Sequence, residues 1–250
     1  MTGLDAGAAW WGLADVSGTI RGVFSRAIHV RFGLDLIVIV GPGEPSGPLH
    51  LRVDRLPVVA ERDTVEVTRG ILRVGAAPPV DLARVSRWAP AALTSPRRWH
   101  PLLGADRSSL AAERHLLAGI SDLLRADDLL AVVRELSGRG QGLTPAGDDV
   151  LAGIIITLHA CGAPPTQLVA ALAESRTTDL AAAYLAWAAK GQCIQPVHDL
   201  LAALGREDES VIASAQDVLL QHGASSGADL TLGVRLALSV KTDAGLATLP

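Results

Sequence analysis

Cysteine and aromatic residues are scarce in this chain. Only two cysteines, Cys161 and Cys193, occur among 250 residues, so a disulfide framework is not expected and a reducing compartment is indicated. Aromatic residues make up 3% of the chain, whereas hydrophobic residues as a whole make up 49%. The composition therefore predicts a compact globular protein whose core consists of small and branched aliphatic side chains.

Strong charge and long apolar runs are also lacking. The 22 basic and 26 acidic residues give a formal net charge of −4, too close to neutrality for a general nucleic-acid or membrane-surface protein. The longest apolar run, 150–163, is interrupted by Gly153 and His159 and is too short to span a bilayer. Residues 1–12 include Asp5 and lack the basic and apolar regions of a signal peptide. We expect a soluble, cytoplasmic protein with no nucleic-acid or membrane partner.

The first 80 residues are rich in short, β-branched segments. These segments are 27–32, 36–40, 49–53, 64–67 and 71–74. Two of them alternate apolar and polar residues, as half-buried strands do, and 36–40 is continuously apolar, as a central strand is. Because no helix-length segment separates them, the pattern favours an antiparallel sheet or a small barrel over a βαβ unit.

The rest of the chain has a different composition and periodicity. Residues 81–107 are rich in proline and arginine and predict a connector. Residues 108–250 show helical periodicity broken by glycines, which predicts a bundle of about eight short helices. The fold class that follows is α+β, with a β-rich part at 1–80, the connector, and a helical part that carries a glycine-rich loop.

That loop, residues 138–149, precedes an apolar helix. Gly138, Gly140, Gly142 and Gly147 let the backbone adopt positive φ values and let a ligand approach main-chain N–H groups. A glycine loop before a helix N-terminus is a potential anion site. Two phosphate motifs fail: Asp148-Asp149 stands where a P-loop needs Lys-Ser/Thr, and a predicted helix, not a strand, precedes the glycines.

Residues 225–233 repeat the pattern of residues 145–153. The matching pairs are Gly147 with Gly227, Asp149 with Asp229, and Gly153 with Gly233. Each copy opens an apolar helix, so the two helix starts could face one another across a shared pocket. Alternatively, the aspartates are helix caps and the glycines are close helix–helix contacts.

These patterns give a set of candidate site residues. The catalytic candidates are Asp148, Asp149 and Asp229. The candidates for substrate binding are Gly140, Gly142, Thr144, Gly147, Thr177, Ser225, Ser226 and Gly227. Among the remaining residues, His222 lies near two serines without a predictable geometry, and both cysteines are expected in the core.

Residues 140–153, Gly-Gln-Gly-Leu-Thr-Pro-Ala-Gly-Asp-Asp-Val-Leu-Ala-Gly, resemble the signature of the AllH-type proteins. The pair Thr177-Thr178 followed by Tyr184 looks like a second family segment, and 223–229 looks like a third. The resemblance implies a subunit of oxamate carbamoyltransferase in allantoin or purine nitrogen catabolism, acting in a complex with other subunits or as a homo-oligomer. It implies transfer of a carbamoyl group between phosphate and the nitrogen of oxamate.

The mechanism that we expect is electrostatic positioning. Backbone N–H groups of residues 140–147 would hold an anionic group with help from Thr144, Ser225 and Ser226. The aspartates would orient the amide N–H₂ of the substrate or hold a magnesium ion. Two alternatives are a metal-dependent hydrolase of a small amide, with the aspartates and His222 as ligands, and a non-catalytic ligand-sensing or scaffold subunit.

Overall fold

A computed structural model describes residues 1–93, 96, 107–165, 172, 174 and 176–246. The chain divides into two compact units, residues 1–90 and 91–250. Residues 81–87 of the predicted connector contribute two strand segments and a 3₁₀ helix to the first unit, and most of its remainder, 94–95 and 97–106, lies outside the described residues. The domain boundaries at 80 and 107 stay a prediction.

The first unit contains one nine-stranded sheet. Its strands are β1 Gly3–Ala6, β2 Val16–Val23, β3 Ala27–Phe32, β4 Asp35–Val40, β5 His50–Val53, β6 Thr64–Thr68, β7 Ile71–Val74, β8 Val80–Asp81 and β9 Ser86–Arg87. Their order in the sheet is β8-β7-β6-β2-β3-β4-β5-β1-β9. Short 3₁₀ helices at Ala8–Gly12 and Leu82–Arg84 complete the unit.

Sequence pattern and position in the sheet agree. β6 alternates exposed and buried residues, with Val65 and Val67 fully buried, whereas β4 has five buried residues in a row and lies inside the sheet. Most neighbours pair antiparallel, as predicted, but β4 with β5 and β1 with β9 pair parallel. The connector 41–49 lets the chain return beside β4 in the same direction.

The described part of the second unit contains seven α-helices. They are α1 Arg114–Arg125, α2 Leu129–Leu136, α3 Ala146–Ala160, α4 Asp179–Ala188, α5 Gln195–Arg206, α6 Glu209–Leu220 and α7 Ser226–Leu246. The predicted α+β class is confirmed, and the helix number is close to that expected. A further predicted helix, 166–175, falls mainly outside the described residues. No helix in the described ranges combines the length and hydrophobicity that crossing a membrane requires, and the cytoplasmic location stays a prediction.

Helices α3 and α7 cross at two glycines. A Cβ added at Gly153 would overlap the carbonyl oxygen of Leu230 and lie 3.1 Å from the Cα of Gly233. A Cβ added at Gly233 would overlap the carbonyl oxygen of Val150 and lie 2.9 Å from the Cα of Gly153. The two contacts are reciprocal, because Val150 and Leu230 each lie three residues before their helix's glycine.

We expect Gly153→Ala to reduce the free energy of unfolding by about 1–3 kcal/mol, because the added methyl group would force the two backbones apart. Gly119→Ala in α1 is the matched control, since a Cβ there meets no atom within 4 Å and alanine is the better helix former, by about 0.5–1 kcal/mol. Urea unfolding of both variants measures the difference. Equal stability of the two variants would contradict the close crossing.

Candidate functional site

The glycine-rich loop leaves α2 and folds back on the start of α3. Gly138, Gly140 and Gly142 have φ values of +73°, +111° and +95°, which L-residues rarely adopt. A Cβ at Gly140 would lie 2.9 Å from the backbone nitrogen of Ala146, so the loop passes close to the first residue of α3. The glycines therefore permit both the turns and the close approach.

The first turn of α3 is already hydrogen-bonded to the protein backbone. The N–H of Gly147 donates to the carbonyl of Arg139 at 2.8 Å, and those of Asp148 and Asp149 donate to the carbonyl of Pro145 at 2.9 and 3.2 Å. By contrast, the N–H groups of residues 140–144 make no hydrogen bond to any other described residue. Backbone donors for a ligand therefore come from the loop and not from residues 147–149.

The second loop has the same construction in a shorter form. The N–H of Gly227 donates to the carbonyl of His222 at 3.0 Å, and that of Asp229 donates to the carbonyl of Ser225 at 2.9 Å. Asp149 and Asp229 are each the fourth residue of their helix. Eight residues separate Gly138 from Gly147 and three separate Gly223 from Gly227, a difference of five.

Both loops contribute to one cavity of about 110 Å³. Its lining residues are Thr144, Asp149, Ala152, Leu180, Tyr184, Cys193, Ile194, His222, Ser226 and Leu230. The hydroxyl oxygens of Thr144 and Ser226 lie 3.3 Å apart and connect the two loops. A water molecule occupies about 30 Å³ in the liquid, so the cavity has room for a single small molecule.

Among the described residues that line this cavity, Asp149 is the only acidic one. Burial, with smaller contributions from the negative charges of Asp229 and Asp148, raises its pKa to about 7, although hydrogen bonds from the hydroxyls of Ser226 and Thr144 oppose the rise. Its Oδ2 atom is buried and has no hydrogen-bond partner among the described residues. An unsatisfied buried carboxylate oxygen is costly, and a ligand N–H or O–H group would satisfy it.

Asp148, the neighbouring candidate, fixes the loop instead. Its Oδ1 accepts from the N–H of Gly138 at 3.1 Å, and its Oδ2 accepts from the hydroxyl of Thr177. Burial raises its pKa, and these two hydrogen bonds lower it. Asp148 and Thr177 are therefore engaged with each other and do not line the cavity.

Asp229, the third candidate, is fully buried and holds a distant part of the chain. Its Oδ1 accepts from the hydroxyl of Ser108 at 2.6 Å, the N–H of Ser109 at 3.0 Å and the hydroxyl of Ser109 at 3.1 Å, and its Oδ2 lies 3.2 Å from the same Ser109 hydroxyl. Asp229 is therefore engaged with Ser108 and Ser109, and its catalytic role stays a prediction.

A metal site of the predicted kind does not fit this geometry. The carboxylate oxygens of Asp148 and Asp229 accept hydrogen bonds from protein donors. Among the described lining residues, Asp149 is then the one carboxylate that could bind magnesium in the cavity. Within the described ranges, no three His, Cys, Asp or Glu side chains group so as to hold a metal ion.

The remaining predicted binding residues divide into three groups. Thr144 and Ser226 line the cavity, while Gly140 and Gly142 lie in the exposed part of the loop. Gly147 and Gly227 pack against the ends of α2 and α6, where a Cβ would overlap the carbonyl oxygens of Leu136 and Leu219. Ser225 takes part through its carbonyl, which accepts from Asp229.

Sequence reasoning missed part of the cavity wall. Tyr184, the only tyrosine of the chain, and Cys193 both line it. Burial raises the pKa of the Cys193 thiol to about 12, so it is a neutral thiol and not a nucleophile. The N–H of Cys193 donates to Nε2 of His198 at 3.0 Å, and burial lowers the pKa of this histidine to about 4. No sequence signal identified Cys193, whereas the position of His222 near the second loop did point to the cavity.

Residues 136–238 match the family model of AllH, described as oxamate carbamoyltransferase subunit AllH. The matched segment begins at the last residue of α2 and ends in α7, so it contains both loops and every residue that lines the cavity. The resemblance seen in the sequence is confirmed over these residues. No solved structure matches the chain.

Proposed function

Starting from the AllH match over 136–238, we propose that the chain is a subunit of a carbamoyltransferase of the oxamate and carbamoyl phosphate type. We place its substrate site at the cavity of Thr144, Asp149 and Ser226. The observation that carries the proposal is the coincidence of the matched segment with a small cavity containing an unpartnered carboxylate oxygen. The resemblance of residues 140–153 to the AllH-type signature implies allantoin or purine nitrogen catabolism as the metabolic setting.

The cavity has complementary groups for the two ends of oxamate. The hydroxyls of Thr144 and Ser226 and the N–H group of Thr144 can donate to its carboxylate. The ionised carboxylate of Asp149 can accept from its amide N–H₂ group.

Asp149 also has the acidity that a proton acceptor needs. In carbamoyl transfer, the amide nitrogen forms a bond to the carbamoyl carbon, the carbon–oxygen bond to phosphate breaks, and phosphate leaves with the electron pair. The attacking nitrogen then loses a proton. A carboxylate with a pKa of about 7 can accept that proton at neutral pH and release it afterwards.

The size of the cavity supports the role of a subunit. About 110 Å³ corresponds to roughly four water molecules, too little for oxamate and carbamoyl phosphate together. The second substrate then needs a surface that other subunits or another copy of the chain supply. A partner is therefore part of the proposal.

We expect the purified chain to bind oxamate more tightly as the pH rises through about 7. Because only ionised Asp149 accepts from the amide, affinity should fall about tenfold for each pH unit well below the pKa of this residue. Calorimetric titration between pH 5.5 and 8.5 measures this dependence. Affinity independent of pH would exclude Asp149 as the amide acceptor.

Activity separates the proposal from its alternatives. Co-expression with neighbouring gene products should give phosphate-dependent carbamoyl transfer that the chain alone lacks. Turnover of a small amide only with added divalent metal would favour the hydrolase. Binding of oxamate without any turnover in the assembled complex would favour the ligand-sensing or scaffold subunit.

A further inference from the structure

We propose that Thr178 is a positioning residue whose hydroxyl holds the glycine-rich loop over the cavity and thereby places Thr144 for ligand binding. This inference rests on the proposed function, because the cavity at which Thr178 would position Thr144 is the proposed substrate site. Thr178 does not itself line the cavity.

The hydroxyl of Thr178 bonds in two directions. It donates to the carbonyl oxygen of Leu143 and accepts from the N–H of Ala181 at 3.1 Å, which makes Thr178 the N-cap of α4. Leu143 directly precedes Thr144, whose hydroxyl lies 3.3 Å from that of Ser226 in the cavity. One hydroxyl group therefore connects the start of α4 to the loop residue beside the ligand.

Little else holds this part of the loop. Among the described residues, the bond from Thr178 is the one hydrogen bond made by the backbone of residues 140–144. Leu143 is 47% exposed, so its side chain does not anchor the loop in a core. Gly140 and Gly142, which precede Leu143, have no side chains that could anchor the loop. The backbone beside Thr144 is then held by the contact of Leu143 with Thr178, while the Thr144 side chain contacts Ser226.

Helix α4 also forms the cavity wall through Leu180 and Tyr184. The residue that caps this helix therefore fixes loop and wall relative to each other. A substitution that keeps the cap and removes the donated hydrogen bond isolates the contribution of the loop contact.

Thr178→Asp and Thr178→Ser make that distinction. Aspartate caps a helix at least as well as threonine, but its carboxylate has no hydrogen to donate and repels the carbonyl of Leu143. Serine keeps both bonds. We expect T178D to lower oxamate affinity at least tenfold with an unchanged thermal midpoint, and T178S to bind within twofold of the unsubstituted protein.

Trypsin cleavage after Arg139 provides a second measurement that needs no ligand. Release of the loop in T178D should increase the cleavage rate several-fold, while T178S should be cut at the original rate. If the unsubstituted protein binds no oxamate but T178D is cut faster, the proposed function fails and the positioning role stands. Equal cleavage rates and equal affinities for T178D and T178S would overturn the positioning role.

Discussion

Replacing Asp149 by asparagine should make the protein more resistant to unfolding at pH 8 while weakening oxamate binding by at least tenfold. Folding raises the pKa of Asp149 from 3.8 to about 7, so the folded state favours the protonated form. The contribution of Asp149 to stability is therefore fully present below pH 3.8 and is lost as the pH rises to about 7. Above that pH the buried charge costs up to about 4 kcal/mol, a cost that asparagine avoids.

Urea unfolding of both proteins at pH 8 and pH 4 measures this effect. The stability difference should be largest at pH 8 and nearly vanish at pH 4, where aspartate and asparagine are both neutral. Asp208→Asn is a suitable control, because this exposed N-cap has its pKa lowered by hydrogen bonds to Ser210 and Val211 and asparagine caps equally well. A D149N variant that is less stable at pH 8 would show that Asp149 serves the fold and not a ligand.

Replacing Asp229 by alanine should have the opposite outcome, a loss of about 2–4 kcal/mol in the free energy of unfolding. The substitution leaves the Ser108 hydroxyl and both donors of Ser109 without their acceptor. The Ser108 hydroxyl is buried, so losing its acceptor costs about 1–3 kcal/mol, whereas Ser109 is exposed and its lost hydrogen bonds cost about 1 kcal/mol. Thermal and urea unfolding measure the loss, and oxamate affinity should stay within a few-fold wherever the variant is folded.

Ser109→Ala is the matched control for Asp229. It removes one hydroxyl donor and leaves the Ser108 hydroxyl and the Ser109 N–H on the carboxylate, so we expect a loss of only about 1 kcal/mol. A D229A variant that keeps its stability but loses ligand binding would return Asp229 to the catalytic set predicted from the sequence.

The sequence predicted those features that depend on interactions between residues close together in the chain. Alternation of apolar and polar residues identified β5 and β6, and a continuous apolar run identified the interior position of β4. The glycine spacing located both helix starts. The repeated Gly-x-Asp pattern indicated equivalent positions for Asp149 and Asp229, since each is the fourth residue of its helix.

The roles of the individual aspartates depend on contacts that no local pattern contains. Successive residues of an α-helix point about 100° apart, so Asp148 and Asp149 face different neighbours. The partner of Asp148, Thr177, lies 29 residues away, and the partners of Asp229 lie 120 and 121 residues away. Serine and threonine are too common for sequence alone to predict such pairs.

The reciprocal contact of Gly153 and Gly233 sets a limit on how this helical unit can change. In a solenoid, each repeat packs against the next through a different surface, so further repeats can be added at the end. Here the helix of each repeat packs on the other helix through the equivalent glycine, as the two halves of a twofold dimer do. The pairing is closed, and a third copy would find no glycine against which to pack. The two repeats then differ mainly in their loops. The first loop is five residues longer than the second, and it contributes Thr144 to the cavity.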